Sequence, residues 1–200
     1  DLFKLSCKVS AKRLFPNFSF MDSPFNAQYY NGNFNTEVCY MGCRTRVIGN
    51  VVDPNKAVTT GRGNLSFTSI NLPRLGIKHG IVTKEKADMK AFFAELGELM
   101  DMVRDQLLER FEIQCNKRIY NFPFLLGQGV WLDSEKLKPT DRLRRILKHG
   151  TLSIGFIGLA ECLKALTGKH HGESEESQEL GLKIVKFMRE RCDEYSEKYN

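Results

Sequence analysis

Between residues 62 and 72 polar and apolar positions alternate as they do in a strand. Leu65, Phe67 and Ile70 are set among Asn64, Ser66, Thr68 and Asn71. Pro73 follows, and a proline cannot donate to a ladder, so the strand is expected to stop there. Further on the period changes to three and four. Phe92, Leu96, Leu99, Val103, Leu107 and Phe111 form one stripe, with Glu95, Glu98, Asp105 and Glu109 opposite. The spacing predicts a long helix over 84–116, with Thr83 as its N-cap. Residues 151–156 read as a strand or turn. A helix is expected over 157–166, closed by Gly168. A last helix is expected from about residue 175, with Leu180, Ile184, Phe187 and Met188 on one face. Stripes of this kind are core packing.

The other stretches carry turn chemistry. Residues 1–35 are rich in Phe, Tyr, Pro and Asn-Gly and read as loops whose aromatics pack as core or as interface. Residues 47–52 read as a short strand with a Gly-Asn turn, followed by a turn at Asp53-Pro54-Asn55. Residues 118–130 read as irregular, and Pro139-Thr140-Asp141 as the cap of a short helix ending at Gly150. Helices interleaved with strands give an α/β fold class.

Composition narrows the class without deciding it. The chain has 200 residues, 42% hydrophobic and 27% charged, which suits one large domain or a piece of a bigger protein. It opens at Asp1 without Met and stops inside a helical pattern, so we expect a fragment. No apolar run reaches 18 residues, and Asp1-Leu2-Phe3-Lys4 does not look like a secretory leader. Six cysteines at irregular spacing, with no Cys-x-x-Cys pair, argue against a zinc knuckle and for free thiols in a reducing cytoplasm. A net charge of +6 favours anionic partners, although solvated lysine faces explain it equally well.

Candidate chemistry gathers in two places. In Met41-Gly42-Cys43-Arg44 a thiol sits beside an arginine in a segment of little helical character. From the residues alone Cys43 is either a reactive thiol or a small buried hydrophobe. Arg44 and Arg46 are either phosphate ligands or partners of acidic side chains. Gly155 and Gly158 are expected where the helix after the 151–156 strand begins, and a small-residue turn entering a helix suits a phosphate. His170 and His171 lie in a turn and are expected to face solvent.

Four blocks occur together: Met41-Gly42-Cys43-Arg44, Gly61-Arg62-Gly63-Asn64-Leu65, Asn71-Leu72-Pro73-Arg74, and Gly150-Thr151-Leu152-Ser153-Ile154-Gly155-Phe156-Ile157-Gly158-Leu159. In this order they resemble the catalytic subunit of anaerobic (class III) ribonucleoside-triphosphate reductases, glycyl radical enzymes, from about residue 25 to the C-terminus. The resemblance implies a ten-stranded barrel of two half-barrels wrapped by helices. Residues 1–200 would be one partial catalytic barrel domain. Its finger-loop cysteine would lie within 37–50, one strand at 62–72 and a helical half at 84–200. It implies reduction of ribonucleoside triphosphates to 2′-deoxyribonucleotides. Cys43 would be the thiyl residue that abstracts the ribose 3′ hydrogen. Asn64 would meet a ribose hydroxyl, with Asn71 the competing candidate. Ser153, Gly155 and the Ile154 backbone would meet the substrate phosphates at a helix start. The implied glycyl radical, a four-cysteine zinc site and allosteric ATP/dNTP sites lie outside this chain. Implied partners are a radical-SAM activating enzyme, formate or a thiol reductant protein, and a second copy in a homodimer, without a membrane. The fragment alone is expected to be inactive. Other glycyl radical enzymes (formate acetyltransferase or dehydratase types) and a non-catalytic phosphate or nucleic-acid binding module are the alternatives.

Overall fold

The computed structural model describes residues 1–42, 45–50 and 52–199. Helices α1 (Leu2–Arg13) and α2 (Pro24–Ala27) precede a hairpin of β1 (Cys39–Met41) and β2 (Thr45–Val47). Strand β3 (Asn64–Asn71) runs straight into α3 (Leu72–His79), followed by α4 (Met89–Cys115) and the short α5 (Arg144–Leu147). Strand β4 (Thr151–Ile157), α6 (Leu159–Thr167) and α7 (Glu175–Tyr199) complete the chain. The fold is mixed α/β. Among the described residues the strands make two two-stranded sheets, β1–β2 antiparallel and β3–β4 parallel, and no closed barrel.

The chain divides into two compact units. Unit 1 comprises residues 1–63 and 118–150, and unit 2 comprises residues 64–117 and 151–200. In unit 2 the stripe on α4 is the spine of the core. Phe92, Leu96, Met100, Val103 and Leu107 are buried against Leu72 and Leu75 of α3, Leu163 and Leu166 of α6, and Ile184 and Met188 of α7. Each such side chain contributes about 1.5–3 kcal/mol on leaving water. Helices α3 and α6 touch backbone to backbone at Gly76, where a Cβ would stand 2.8 Å from the Cys162 carbonyl oxygen. Burial pushes the Cys162 thiol up to about 12, so it is an inert packing group.

Several expected boundaries move. The long helix begins at Met89 and not at residue 84: Asp88 caps it, accepting from the Ala91 N–H at 3.0 Å. The Thr83 hydroxyl instead donates to the Ile77 and Lys78 carbonyls at the end of α3. Pro73 does more than follow the strand. It occupies the first turn of α3, where its missing N–H is unneeded, and Asn71 caps that helix through the Arg74 N–H. Residues 2–13 form a helix, capped by Asp1, and not a loop. The short helix before Gly150 shrinks to Arg144–Leu147, because Asp141 turns back to accept from the Lys138 N–H. The strand expected over 47–52 does not form: β2 lies earlier, at Thr45–Val47, and among the described residues of the expected span Val47 alone belongs to it.

Candidate functional site: a hairpin and an open strand face

In unit 1 the hairpin pairs Cys39 with Val47, Tyr40 with Arg46 and Met41 with Thr45. Gly42 leaves β1 at φ +61°, a conformation that costs glycine least. Cys43 and Arg44 follow in sequence and lie outside the described residues. Cys39 is half-buried at the start of β1. Among the described residues Arg46 makes no ion pair with an acidic side chain. Its guanidinium stacks 3.6 Å from the centre of the Phe25 ring and donates to the Phe25 carbonyl and Asn26 Oδ1.

Unit 1 also holds a polar cluster centred on His149, whose side chain is 1% exposed. Asn50 Nδ2 donates to His149 Nδ1 at 3.2 Å, leaving the Nε2–H to donate to Asp133 Oδ2 at 3.2 Å. Lys136 and Lys56 close on the same carboxylate and, with help from His149, hold Asp133 well below the usual carboxylate range. Burial pushes His149 down, only partly opposed by Asp133, so the ring is neutral. Arg62 donates from Nε to the His149 carbonyl at 3.1 Å and from Nη1 to the Val58 and Gly49 carbonyls. Burial lowers its guanidinium from the ordinary value.

Unit 2 presents the second candidate surface. In the parallel β3–β4 ladder Ser66, Thr68 and Ile70 pair with Leu152, Ile154 and Phe156. Ile70 is buried, and Leu152 and Ile154 pack on the core. The alternate residues Phe67, Ser69 and Asn71 pair with Ser153, Gly155 and Ile157 and form the open face. Phe67 is 68% exposed and Ile157 57%. Simple alternation would put Asn64 on the inner face with Ser66 and Thr68. The ladder, however, pairs Asn64 with Thr151 and Ser66 with Leu152, so Leu65 is an extra residue. This bulge reverses the alternation and brings Asn64 to the open face. The Asn64 amide both holds the bulge and uses it. Oδ1 accepts from the Ser66 N–H at 3.2 Å, and Nδ2 donates to Ser153 Oγ at 2.9 Å.

That contact fixes the chemistry available. Ser153 Oγ accepts from Asn64, so its own O–H is left to donate outward. Asn64 keeps one N–H and one lone pair for a hydroxyl. At Gly155 a Cβ would stand 3.1 Å from Ser69 Oγ, so a side chain there would crowd the serine. The structure thus brings Asn64, Ser153 and Gly155 onto one face, whereas the Ile154 side chain points to the core and leaves only its backbone. Ser153, Ile154 and Gly155 lie in the body of β4, and not at a helix start as the sequence suggested. The start of α6 holds Gly158, against the Pro73 ring, and Glu161 in the first turn. A carboxylate there already faces the positive end of the helix. Asn71 is occupied as the cap of α3. Two residues escaped the sequence reading. Ser69 lies beside Gly155 on the open face, a position legible from the strand period. Arg62 lies between two glycines, a pattern that signals close backbone approach.

His170 and His171 lie in the turn after α6, where the His170 Nδ1 accepts from the Gly172 N–H. Among the described residues no three His, Cys, Asp or Glu side chains converge to hold a metal. No helix of the described residues is long and apolar enough to cross a membrane.

Comparison with known proteins bears on both surfaces at once. The family model described as anaerobic ribonucleoside-triphosphate reductase matches residues 1–200. The Salmonella typhimurium protein of that name is 28% identical over 200 residues, covering 98% of this chain and 26% of the relative. The Haemophilus influenzae protein of that name is 28% identical over 193 residues, covering 95% and 25%. That of Enterobacteria phage T4 is 25% identical over 200 residues, covering 99% and 30%. The chain thus spans about a quarter to a third of the length of these relatives. Because the match takes in the hairpin, the bulged strand and the helices alike, the chain belongs to the anaerobic ribonucleoside-triphosphate reductase family.

Proposed function

We propose that the full-length protein reduces ribonucleoside triphosphates to 2′-deoxyribonucleotides, with Cys43 as the hydrogen-abstracting residue. Asn64, Ser153, Gly155 and the Ile154 backbone would bind the substrate. In a chain of this family, the observation that carries the reading is the Asn64–Ser153 pair on an exposed polar strand face. A glycyl radical outside this chain would supply a reversible one-electron oxidation of the Cys43 thiol and be restored after each turnover. The Cys43 sulfur takes the ribose 3′ hydrogen and later returns a hydrogen to the 3′ carbon. The 2′ hydroxyl leaves as water with a proton, and two electrons and a proton from formate or a thiol protein place the new hydrogen on the 2′ carbon. Asn64 Nδ2 orients a ribose hydroxyl, and the outward Ser153 O–H donates to an anionic oxygen of the nucleotide. A net charge of +6 suits a triphosphate.

The same reading extends to the parts not present. β3 and β4 would be two strands of a ten-stranded barrel, with residues 1–200 one portion of a single catalytic domain. A parallel pair with one open face is normally covered on both faces, which supports this. The zinc and allosteric nucleotide sites would lie elsewhere in a cytoplasmic homodimer that is activated by a radical-SAM enzyme. The decisive experiment measures tritium release from 3′-labelled ribonucleoside triphosphate by the activated, oxygen-free full-length protein. Release by wild type and none by Cys43→Ala is expected. Equal release would remove Cys43 from the chemistry, and release from neither would overturn the ribonucleotide reading. The 200-residue chain alone should form no deoxynucleotide.

A further inference from the structure

The hairpin that carries Cys43 is short, and two three-residue strands cannot hold a reacting atom in place by their own ladder. Arg46 and Tyr40 tie the two strands to Phe25 and Asn26, and the segment 58–63 holds the chain on either side of the hairpin, reaching both legs. On the incoming leg the Thr59 hydroxyl donates to the Glu37 carbonyl at 2.6 Å, and the Thr59 N–H to the Asn35 carbonyl at 2.8 Å. On the outgoing leg Arg62 Nη1 donates to the Gly49 carbonyl, two residues beyond β2. The next residue, Asn50, is tied to His149, whose carbonyl Arg62 also holds. At the end of β1 the Met41 sulfur lies 3.0 Å from where a Cβ of Gly63 would be.

The segment itself has little freedom. The Gly61 carbonyl accepts from the Leu132 N–H at 2.7 Å, and a Cβ at Gly61 would meet that same nitrogen at 3.0 Å. Gly61 also has φ +69°, so a side chain is excluded by conformation as well as by space. The two glycines let the backbone press against its neighbours, and the residue between them sends its side chain to three main-chain carbonyls. A cation answered by neutral carbonyls is a poor source of net stability. A planar guanidinium is nevertheless the side chain best suited to fix several acceptors at set directions.

We propose that Arg62 is a positioning residue for the Cys43 hairpin: its guanidinium ties the outgoing leg to segment 58–63, to which Thr59 ties the incoming leg. The inference rests on Cys43 being the reacting thiol. Because Arg62 acts through the hairpin, its loss should slow the chemical step without changing affinity for the nucleotide. A displacement of about 1 Å at a reacting atom costs on the order of 100-fold in rate.

The test uses the full-length protein with Arg62→Gln and Arg62→Lys. Two readouts are needed: kcat and KM for 3′-tritium release, and the rate of Cys43 alkylation in the unactivated protein, followed by peptide mass spectrometry. Arg62→Gln is expected to lower kcat by about 10- to 100-fold at unchanged KM. It should change the Cys43 alkylation rate several-fold while the fluorescence of Trp131, in the same unit as Arg62, stays as in wild type. Arg62→Lys keeps the charge but not the fork and should fall between. Wild-type kcat and wild-type Cys43 labelling in Arg62→Gln would overturn the proposal, as would a loss confined to KM. If Arg62→Gln alters the Trp131 fluorescence, the lysine variant decides. Reduced kcat with wild-type Trp131 fluorescence supports positioning, and wild-type kcat overturns it. Cys43→Ala run alongside separates the two failures, since an active Cys43→Ala would sink the reductase reading whatever Arg62 does.

Discussion

In unit 2 the interior is a continuous apolar cluster, and His79 and Ser177 are the buried polar side chains among its described residues. In unit 1 the buried polar residues Asn26, Thr36, Asn50, Thr59, Ser134 and His149 nearly match the buried apolar ones. Those are Val38, Ile119, Leu126, Trp131, Leu143, Ile146 and Leu147. Each polar group there must find a partner, and several do so by gripping a loop: Thr59 holds Glu37, Asn50 holds Asp53, and His149 joins Lys56 and Lys136 on the half-buried Asp133. The difference is one of purpose. Apolar burial is strong and tolerant of direction, whereas hydrogen bonds specify direction and add only about 1 kcal/mol net each. Unit 2 supplies stability, and unit 1 spends its interior on holding irregular chain in set positions.

The largest effect should come from the core of unit 2. Phe92→Ala is expected to cost about 3–5 kcal/mol. Hydrogen exchange should show α4 and α7 losing protection first, with the Leu132 N–H, bonded to Gly61, unchanged. Equal losses in both units would break the comparison. Gly76→Ala comes next, at about 1–3 kcal/mol in urea unfolding, because its Cβ would meet Cys162 main chain that cannot step aside. Stabilisation would show that α3 and α6 can separate freely. Unit 1 should respond to acid instead. A histidine held below its ordinary 6.5 binds a proton more readily when unfolded, so its contribution is complete above that value and declines as pH falls through it. Asp133, also depressed, loses its contribution only at much lower pH. The fluorescence of Trp131 should therefore report loosening of unit 1 from about pH 6.5 downward. His149→Gln should remove the upper part of that curve at a cost of about 1 kcal/mol at neutral pH. A variant with the wild-type pH profile would exclude the ring as its source. The smallest effect is expected at Glu190→Gln on α7, whose partner Lys186 is 76% exposed; no shift in melting temperature should be measurable.

The apolar stripes of α4 and α7 and the strand-then-helix order of residues 151–168 were legible because packing follows the period of the backbone. Other features were hidden by competing local choices. Thr83 and Asp88 are both good caps, and only the tertiary path shows that Thr83 closes α3 while Asp88 opens α4. Pro73 fits a strand end and a helix start equally well, which concealed α3. Helix α1 was missed because none of its residues is buried, so no clean stripe marks it. The face of Asn64 could not be read by counting, since the extra Leu65 reverses the count. Asn64 and Ser153 were named through the family resemblance and not through the strand period; in the structure the two side chains are in contact. Cys43 lies outside the described residues, and its role stands on the family resemblance.

The parallel ladder has a consequence for how the chain is made. Among the described residues every ladder partner of β3 belongs to β4, and residues 72–150 lie between them. During synthesis α3 and α4 can fold onto the inner side of β3 early, since they follow it directly. Its hydrogen-bonding edge toward β4 must wait until residue 157 has emerged, after all of the inserted 118–150 segment has been made. Pairs so far apart form slowly, because the loop entropy is lost before any contact repays it. Strand β3 is thus the place where a nascent chain is most exposed to pairing with the wrong strand.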